Sequence, residues 1–161
     1  MGASPQSFFK LNCDTSVQLE KKQGDLGFII RDSQGRCITA ISEPCNAWDV
    51  LLNETLVVRQ GMLEAISEEI DNLIIESDNQ EVILALQTTS TPFPVLIRPI
   101  VEDIMYLQGC FESCTFLFIP RAKNAIVDAL ARRVLSLAKR TSWPISNPCL
   151  FEDGSVSRSF E

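Results

Sequence analysis

The chain has 161 residues and 45% hydrophobic content, which suits one domain with one sizeable core and leaves too little for two. It contains no histidine, which removes every Ser-His or Cys-His nucleophile and every histidine general base, so carboxylates and the hard metal ions they bind are left to carry any chemistry. The net charge of -7 argues against a broad polyanion-binding surface. Residues 121–140, however, hold Arg121, Lys123, Arg132, Arg133, Lys139 and Arg140 against Asp128 alone, a local +5. Any nucleic-acid contact is therefore expected at the last helix and the loop before it. Six cysteines occur at irregular spacings without a CxxC pair, as expected of small buried apolar residues in a reducing compartment. No apolar run approaches the roughly 20 residues of a membrane span. The first residues lack a basic-plus-apolar leader. The expectation is an intracellular protein of the nucleus or cytoplasm, monomeric and without membrane association.

In chain order, Ser7 to Ser16 is predicted as a strand, with Phe9, Leu11 and Cys13 alternating against Lys10, Asn12 and Asp14. Gly27 to Arg31 and Cys37 to Ile41 are two further strands, joined at Asp32-Ser33-Gln34-Gly35, a turn short enough for a hairpin. The period then changes. From Trp48 to Ile70 the apolar residues recur at helical spacing, with Leu52, Leu56, Leu63, Ile66 and Ile70 on one stripe. Leu73-Ile74-Ile75 is a short apolar run, as in a strand covered on both faces. Asn79 caps a helix running to Leu86, and the Thr-, Ser- and Pro-rich stretch from Thr88 to Pro94 breaks it. Val95 to Leu107 is predicted helical, with Pro99 in its first turn. Thr115 to Ile119 is the fifth strand, Pro120 ends it, and Asn124 is expected to cap a last helix with Ile126, Val127, Leu130, Val134 and Leu137 on its buried side.

The order is βββ-α-β-α(α)-β-α. It implies an α/β fold with a five-stranded mixed sheet, three strands antiparallel and two reached by helical crossovers. Residues 7–140 are expected to form the domain. Residues 141–161 read as a C-terminal tail able to pack through Trp143, Leu150 and Phe151.

Ligands in such sheets gather at the carboxyl ends of the parallel strands. Asp78 closes the strand from Leu73, and Asp14 lies toward the end of the first strand. Glu54 falls in the opening turns of the long helix, with Gly61 and Ala65 on the same face, so that helix can approach the sheet closely. Asp128 falls near the start of the last helix, where the macrodipole favours a negative charge.

Taken with their flanking residues, these acids carry a family resemblance over residues 8 to 140. Its segments are Phe9-Lys10-Leu11-Asn12-Cys13-Asp14, Gly27-Phe28-Ile29-Ile30-Arg31-Asp32 with Gly35, and Asn53-Glu54-Thr55-Leu56 with Arg59-Gln60-Gly61-Met62. They continue with Ile75-Glu76-Ser77-Asp78-Asn79 and with Ile119-Pro120-Arg121-Ala122-Lys123-Asn124 before Asp128-Ala129-Leu130-Ala131. In this order the chain resembles the plant ribonuclease H-like domains related to the reverse-transcriptase-associated ribonuclease H.

That resemblance implies a ribonuclease H-like fold and hydrolysis of the RNA strand of RNA–DNA hybrids by two Mg²⁺ or Mn²⁺ ions, roughly 3.5–4 Å apart. Asp14 would bridge both ions, Glu54 and Asp78 complete one site, and Asp128 complete the other. Hybrid would be recognised by shape and 2′-hydroxyls, with Thr15, Asn79, Arg121, Lys123 and Asn124 as candidate substrate contacts. The chain departs from the family at Thr15, where glycine is usual, and at Phe118, where a histidine usually precedes the Pro-Arg pair. Between Gln60 and Pro120 the only basic residue is Arg98, so a basic protrusion that grips hybrid has no counterpart. These departures imply slow turnover. They also keep open a module of the same fold that binds nucleic acid or protein without cutting.

Overall fold

The computed structural model describes residues 7–88, 92–125 and 141–142. Three antiparallel strands come first: β1 (Phe9–Gln18), β2 (Gln23–Arg31) and β3 (Cys37–Asn46). Helix α1 (Val50–Ser67) leads to β4 (Asn72–Ser77), and α2 (Gln80–Gln87) and α3 (Arg98–Gln108) lead to β5 (Ser113–Phe118). A two-residue strand, β6 (Thr141–Ser142), pairs with Ile41 and Ser42 of β3. The sheet order is β5-β4-β1-β2-β3-β6, with β1–β4 and β4–β5 parallel and the other pairs antiparallel. The expected five-stranded mixed sheet is present, and the first two residues of the expected tail extend it at the β3 edge. The remainder of the tail and most of the expected last helix lie outside the described residues.

Local chemistry sets the connections. At the β2–β3 hairpin, Asp32 Oδ1 accepts from the main-chain N–H groups of Gln34 and Arg36, both at 2.9 Å. Gly35 there takes a left-handed φ of 80°, which only glycine adopts without strain. Asp49 caps α1 by accepting from the Leu52 N–H at 2.9 Å, and Asn79 caps α2 by accepting from Val82 N–H at 3.1 Å. Val95–Ile97 form a 3-10 turn rather than α-helix, and Pro99 falls in the first turn of α3, where its missing N–H has no intrahelical partner to lose.

The sequence pattern understates two strands. β2 starts at Gln23 because Gly24 permits close approach: a Cβ there would sit 2.8 Å from the Ser16 carbonyl oxygen. β3 runs on through Pro44, which is tolerated because β3 lies near the sheet margin, where an N–H can be spared.

Residues Leu11, Cys13, Phe28, Ile30, Leu73, Ile75 and Phe116 face α1–α3, where Val57, Met62, Ala65, Ile97 and Ile104 complete one apolar core. The opposite face of β1 carries polar groups. Asn12 donates to Glu76 at 2.9 Å and accepts from Arg31 at 2.8 Å, while Lys10 pairs with Glu76 at 3.1 Å. At the β5 margin, Gln87 donates to the Phe116 carbonyl and Gln108 to the Cys114 carbonyl, which occupies acceptors another chain could otherwise pair with. The cysteines depart from the expectation of uniform burial. Among those described all are free thiols, Cys13 is buried, and Cys110 is exposed in the turn after α3.

Candidate metal centre

The parallel register builds the centre. Cys13 of β1 lies beside Ser77 of β4, so Asp14 and Asp78 follow side by side where the two strands part. Ser77 then turns the chain: its Oγ accepts from the Asn79 N–H at 3.1 Å, and Asn79 caps the next helix. Asp78 is thereby held at the strand end.

Glu54 arrives from α1. This helix lies tight on β1 because Gly61 faces Leu11: a Cβ on Gly61 would meet both Leu11 methyl carbons at 2.7 Å. That close approach brings Glu54 to the strand ends, as the small residues on its face predicted.

The three carboxylates converge. Asp14, Glu54 and Asp78 each offer one oxygen, and these oxygens lie within 4.8 Å of one another. Asp14 and Glu54 are buried, at 2% and 6% exposure. Two full charges at that distance repel by about 3–4 kcal/mol at an effective dielectric of about 20, so the cluster favours a cation. The donor set is all oxygen and partly desolvated, which fits a hard divalent ion.

Neighbouring groups order the cluster. Thr15 is buried beside it; its N–H donates to Asp14 Oδ1 at 2.8 Å and its hydroxyl donates to Glu54 Oε1 at 2.7 Å. Cys13 lies beneath, with its thiol 3.9 Å from the Val57 carbonyl. Burial, reinforced by the charges of Glu54 and Asp14, holds that thiol well above its usual range, so Cys13 is a packing residue and no thiolate ligand.

Beyond β5, a 3-10 turn spans Arg121–Asn124. Arg121 Nε lies 3.7 Å from Asp78 Oδ2, so the expected phosphate-contacting residue stands beside a carboxylate of the cluster. Lys123 is exposed. Asn124 is buried, and its side-chain amide donates to the Cys13 carbonyl at 2.8 Å. That bond ties the turn to β1, and the helix that Asn124 was expected to cap lies outside the described residues. Phe118 ends β5 beside Ser77 and is 44% exposed. Asp128, the fourth expected acid, lies outside the described residues.

Sequence reasoning missed the Cys13–Asn124 and Thr15–Glu54 bonds. No spacing rule links residues 111 apart, whereas the Thr15 hydroxyl was visible as a donor next to Asp14.

Residues 12–134 match the family described as reverse transcriptase-like. The chain belongs to this family. Its ribonuclease H-like domain also resembles solved structures of ribonucleases H. Ribonuclease H1 from the halophilic archaeon Halobacterium salinarum NRC-1 superimposes with a TM-score of 0.74 at 17% identity, over 80% of this chain and 98% of that one. The N-terminal ribonuclease H domain of Rv2228c from Mycobacterium tuberculosis gives 0.74 at 14% identity, over 81% and 95%. LC11-RNase H1 in complex with RNA/DNA hybrid gives 0.69 at 15% identity, over 78% and 94%. At these identities the likeness establishes the fold alone. No curated protein matches the sequence. Among the described residues no helix is long and apolar enough to cross a membrane.

Proposed function

We propose that this reverse transcriptase-like domain is a slow, metal-dependent endonuclease that hydrolyses the RNA strand of RNA–DNA hybrids. The observation that carries this reading is the convergence of the Asp14, Glu54 and Asp78 carboxylates within 4.8 Å at the end of β4. In this reading Asp14, Glu54, Asp78 and Asp128 would hold two Mg²⁺ or Mn²⁺ ions. Those ions supply Lewis-acid stabilisation of the phosphodiester and a more acidic water.

The chain's own residues position the reactants. Asp14 and Asp78, fixed by the β1–β4 register, offer oxygens at the strand ends, and Glu54 closes the cluster from α1. Arg121 and Lys123 contact backbone phosphates, with Thr15, Asn79 and Asn124 lining the same end of the sheet. Hybrid complexes among the structural neighbours support this substrate class. With no histidine, no imidazole assists water activation or product release, and this accounts for the slow turnover. The functional unit is residues 7–140 with 141–161 as its tail, monomeric, acting in the nucleus or cytoplasm. The ordered motifs quoted above support reading it with the plant members of the family.

A second reading is a module of the same fold that binds nucleic acid or protein without cutting. Phe118, exposed at the end of β5 where the family usually has histidine, favours it.

Incubation of labelled RNA–DNA hybrid with Mg²⁺ or Mn²⁺ decides between them, using wild type, Asp78→Asn and Asp128→Asn. Cleavage by wild type that is lost in both variants supports the enzyme. Equal inactivity of all three with either metal rules the enzyme out and leaves the binding module. Cleavage that survives both substitutions points to a contaminating nuclease and also rules the enzyme out.

A further inference from the structure

Thr15 makes two bonds that its usual glycine could make only in part. The main-chain N–H to Asp14 Oδ1 is available to any residue. The hydroxyl to Glu54 Oε1, at 2.7 Å, needs the side chain. Thr15 is well placed to hold Glu54 because it is itself rigid: it is buried, it sits in the β1–β2 ladder opposite Leu26, and its branched side chain restricts χ1. It shares the α1-facing side of β1 with Leu11 and Cys13, the side from which Glu54 arrives. Resting on the metal-site reading above, we propose that Thr15 is a positioning residue that presets Glu54 for a small octahedral divalent ion.

The chemistry follows from what a hydroxyl donor does to a carboxylate. It occupies a lone pair on Oε1 and fixes the plane of the group, so Glu54 would favour single-oxygen ligation of a bound ion. Single-oxygen ligation in a rigid site suits Mg²⁺ or Mn²⁺, which need near-octahedral geometry. Ca²⁺ takes more ligands, bidentate carboxylates among them, in flexible geometry. Partners that orient a ligating carboxylate typically change metal affinity by 10–100-fold when removed. Thr15 thus sets both affinity and ion choice, and the departure from glycine is a gain of metal preorganisation at the same site.

The test is a thermal-shift titration of wild type, Thr15→Val and Thr15→Ser with Mg²⁺, Mn²⁺ and Ca²⁺, each protein first melted without metal. Valine keeps the shape and removes the hydroxyl; serine restores it. The expected result is that half-saturating Mg²⁺ rises about tenfold in Thr15→Val. Ca²⁺ should be displaced less, and Thr15→Ser should stay within about twofold of wild type. If Thr15→Val does not fold, Thr15→Gly takes its place in the comparison. The proposal is overturned if the hydroxyl-free variant binds Mg²⁺ like wild type, if serine fails to restore binding, or if Mg²⁺ and Ca²⁺ weaken equally. Absence of any shift in wild type with Mg²⁺ or Mn²⁺ instead overturns the metal-site reading, and this proposal with it.

Discussion

The side-chain amide of Asn124 donates to the main-chain carbonyl of Cys13 at 2.8 Å, joining the turn after β5 to the strand residue that precedes Asp14. The bond is buried at both ends. It fixes where the chain leaves the sheet after β5, directly beside the strand that carries Asp14. Asn124→Ala leaves the Cys13 carbonyl buried without this donor and should destabilise the domain by about 1–3 kcal/mol. Asn124→Asp should cost more, because it sets an acceptor against a carbonyl near Asp14. Urea unfolding of the three proteins checks the ranking. An aspartate variant as stable as wild type would show that the bond contributes nothing.

Gly61 is the contact point between α1 and β1, and the energetics there have two opposing parts. Gly61→Ala gains roughly 1 kcal/mol of helix propensity. The new methyl, however, meets the Leu11 methyl carbons at 2.7 Å in a fully buried site, and overpacking of this kind costs about 1–3 kcal/mol. The expected sum is a loss of up to about 2 kcal/mol, together with weaker metal binding because Glu54 is pushed away from the strand ends. Shortening the facing side chain with Leu11→Val should restore both in the double variant. A double-mutant cycle read by urea unfolding and by Mg²⁺ thermal shift measures this, and strict additivity would sink the idea.

Much of this architecture was legible because its period is simple. The alternation from Phe9 to Cys13, the apolar stripes of α1 and the run Leu73-Ile74-Ile75 each serve one buried face, so sequence pattern and burial agree. Glu54 was placed over the strand ends from Gly61 and Ala65 on its face together with the family resemblance, since helix spacing fixes which residues share a face. Pattern failed where a long-range neighbour changes the meaning of a residue. The second strand was expected to begin at Gly27, yet β2 starts at Gln23, with Ser16 and Pro44 pairing with Asp25 from either side. The Asn124 amide meets the Cys13 carbonyl of a distant strand, a contact that no local spacing reveals. The Thr15 hydroxyl was legible as a possibility, and its direction was decided only by where α1 sets Glu54.

Asp25 gives the domain a built-in pH dependence. It is 0% exposed, and among the described residues neither of its carboxylate oxygens has a hydrogen-bond partner. Burial raises its pKa to about 7. The folded state therefore keeps a proton that the unfolded chain releases near pH 4, so stability is full below that pH and is lost as pH rises through about 7. Between pH 5 and pH 8 the wild type should lose about 2–3 kcal/mol relative to Asp25→Asn, which cannot ionise. Subtracting the two urea curves at each pH cancels the contribution of the other carboxylates. A difference that does not change with pH would mean that Asp25 is already ionised, or already protonated, across the whole range.

Under the proposed function, Arg121 would link the carboxylate cluster to the substrate. Its side chain is 81% exposed and its Nε lies 3.7 Å from Asp78 Oδ2. An exposed pair of this length contributes at most about 1 kcal/mol, so Arg121→Ala should leave the melting temperature nearly unchanged. Its larger effect should fall on binding. If Arg121 moves from Asp78 to a backbone phosphate when hybrid docks, its loss should weaken binding for all hybrid sequences alike. It should also lower the slope of log K against log salt by about 1. Fluorescence anisotropy in an Asp128→Asn background, with Mg²⁺ present and salt varied, measures this without cleavage. Addition of Mg²⁺ should strengthen binding more in the Arg121 protein than in Arg121→Ala, because an ion on Asp78 releases the guanidinium to the phosphate. Identical salt slopes in the two proteins would place Arg121 outside the hybrid contact and confine it to the Asp78 pair.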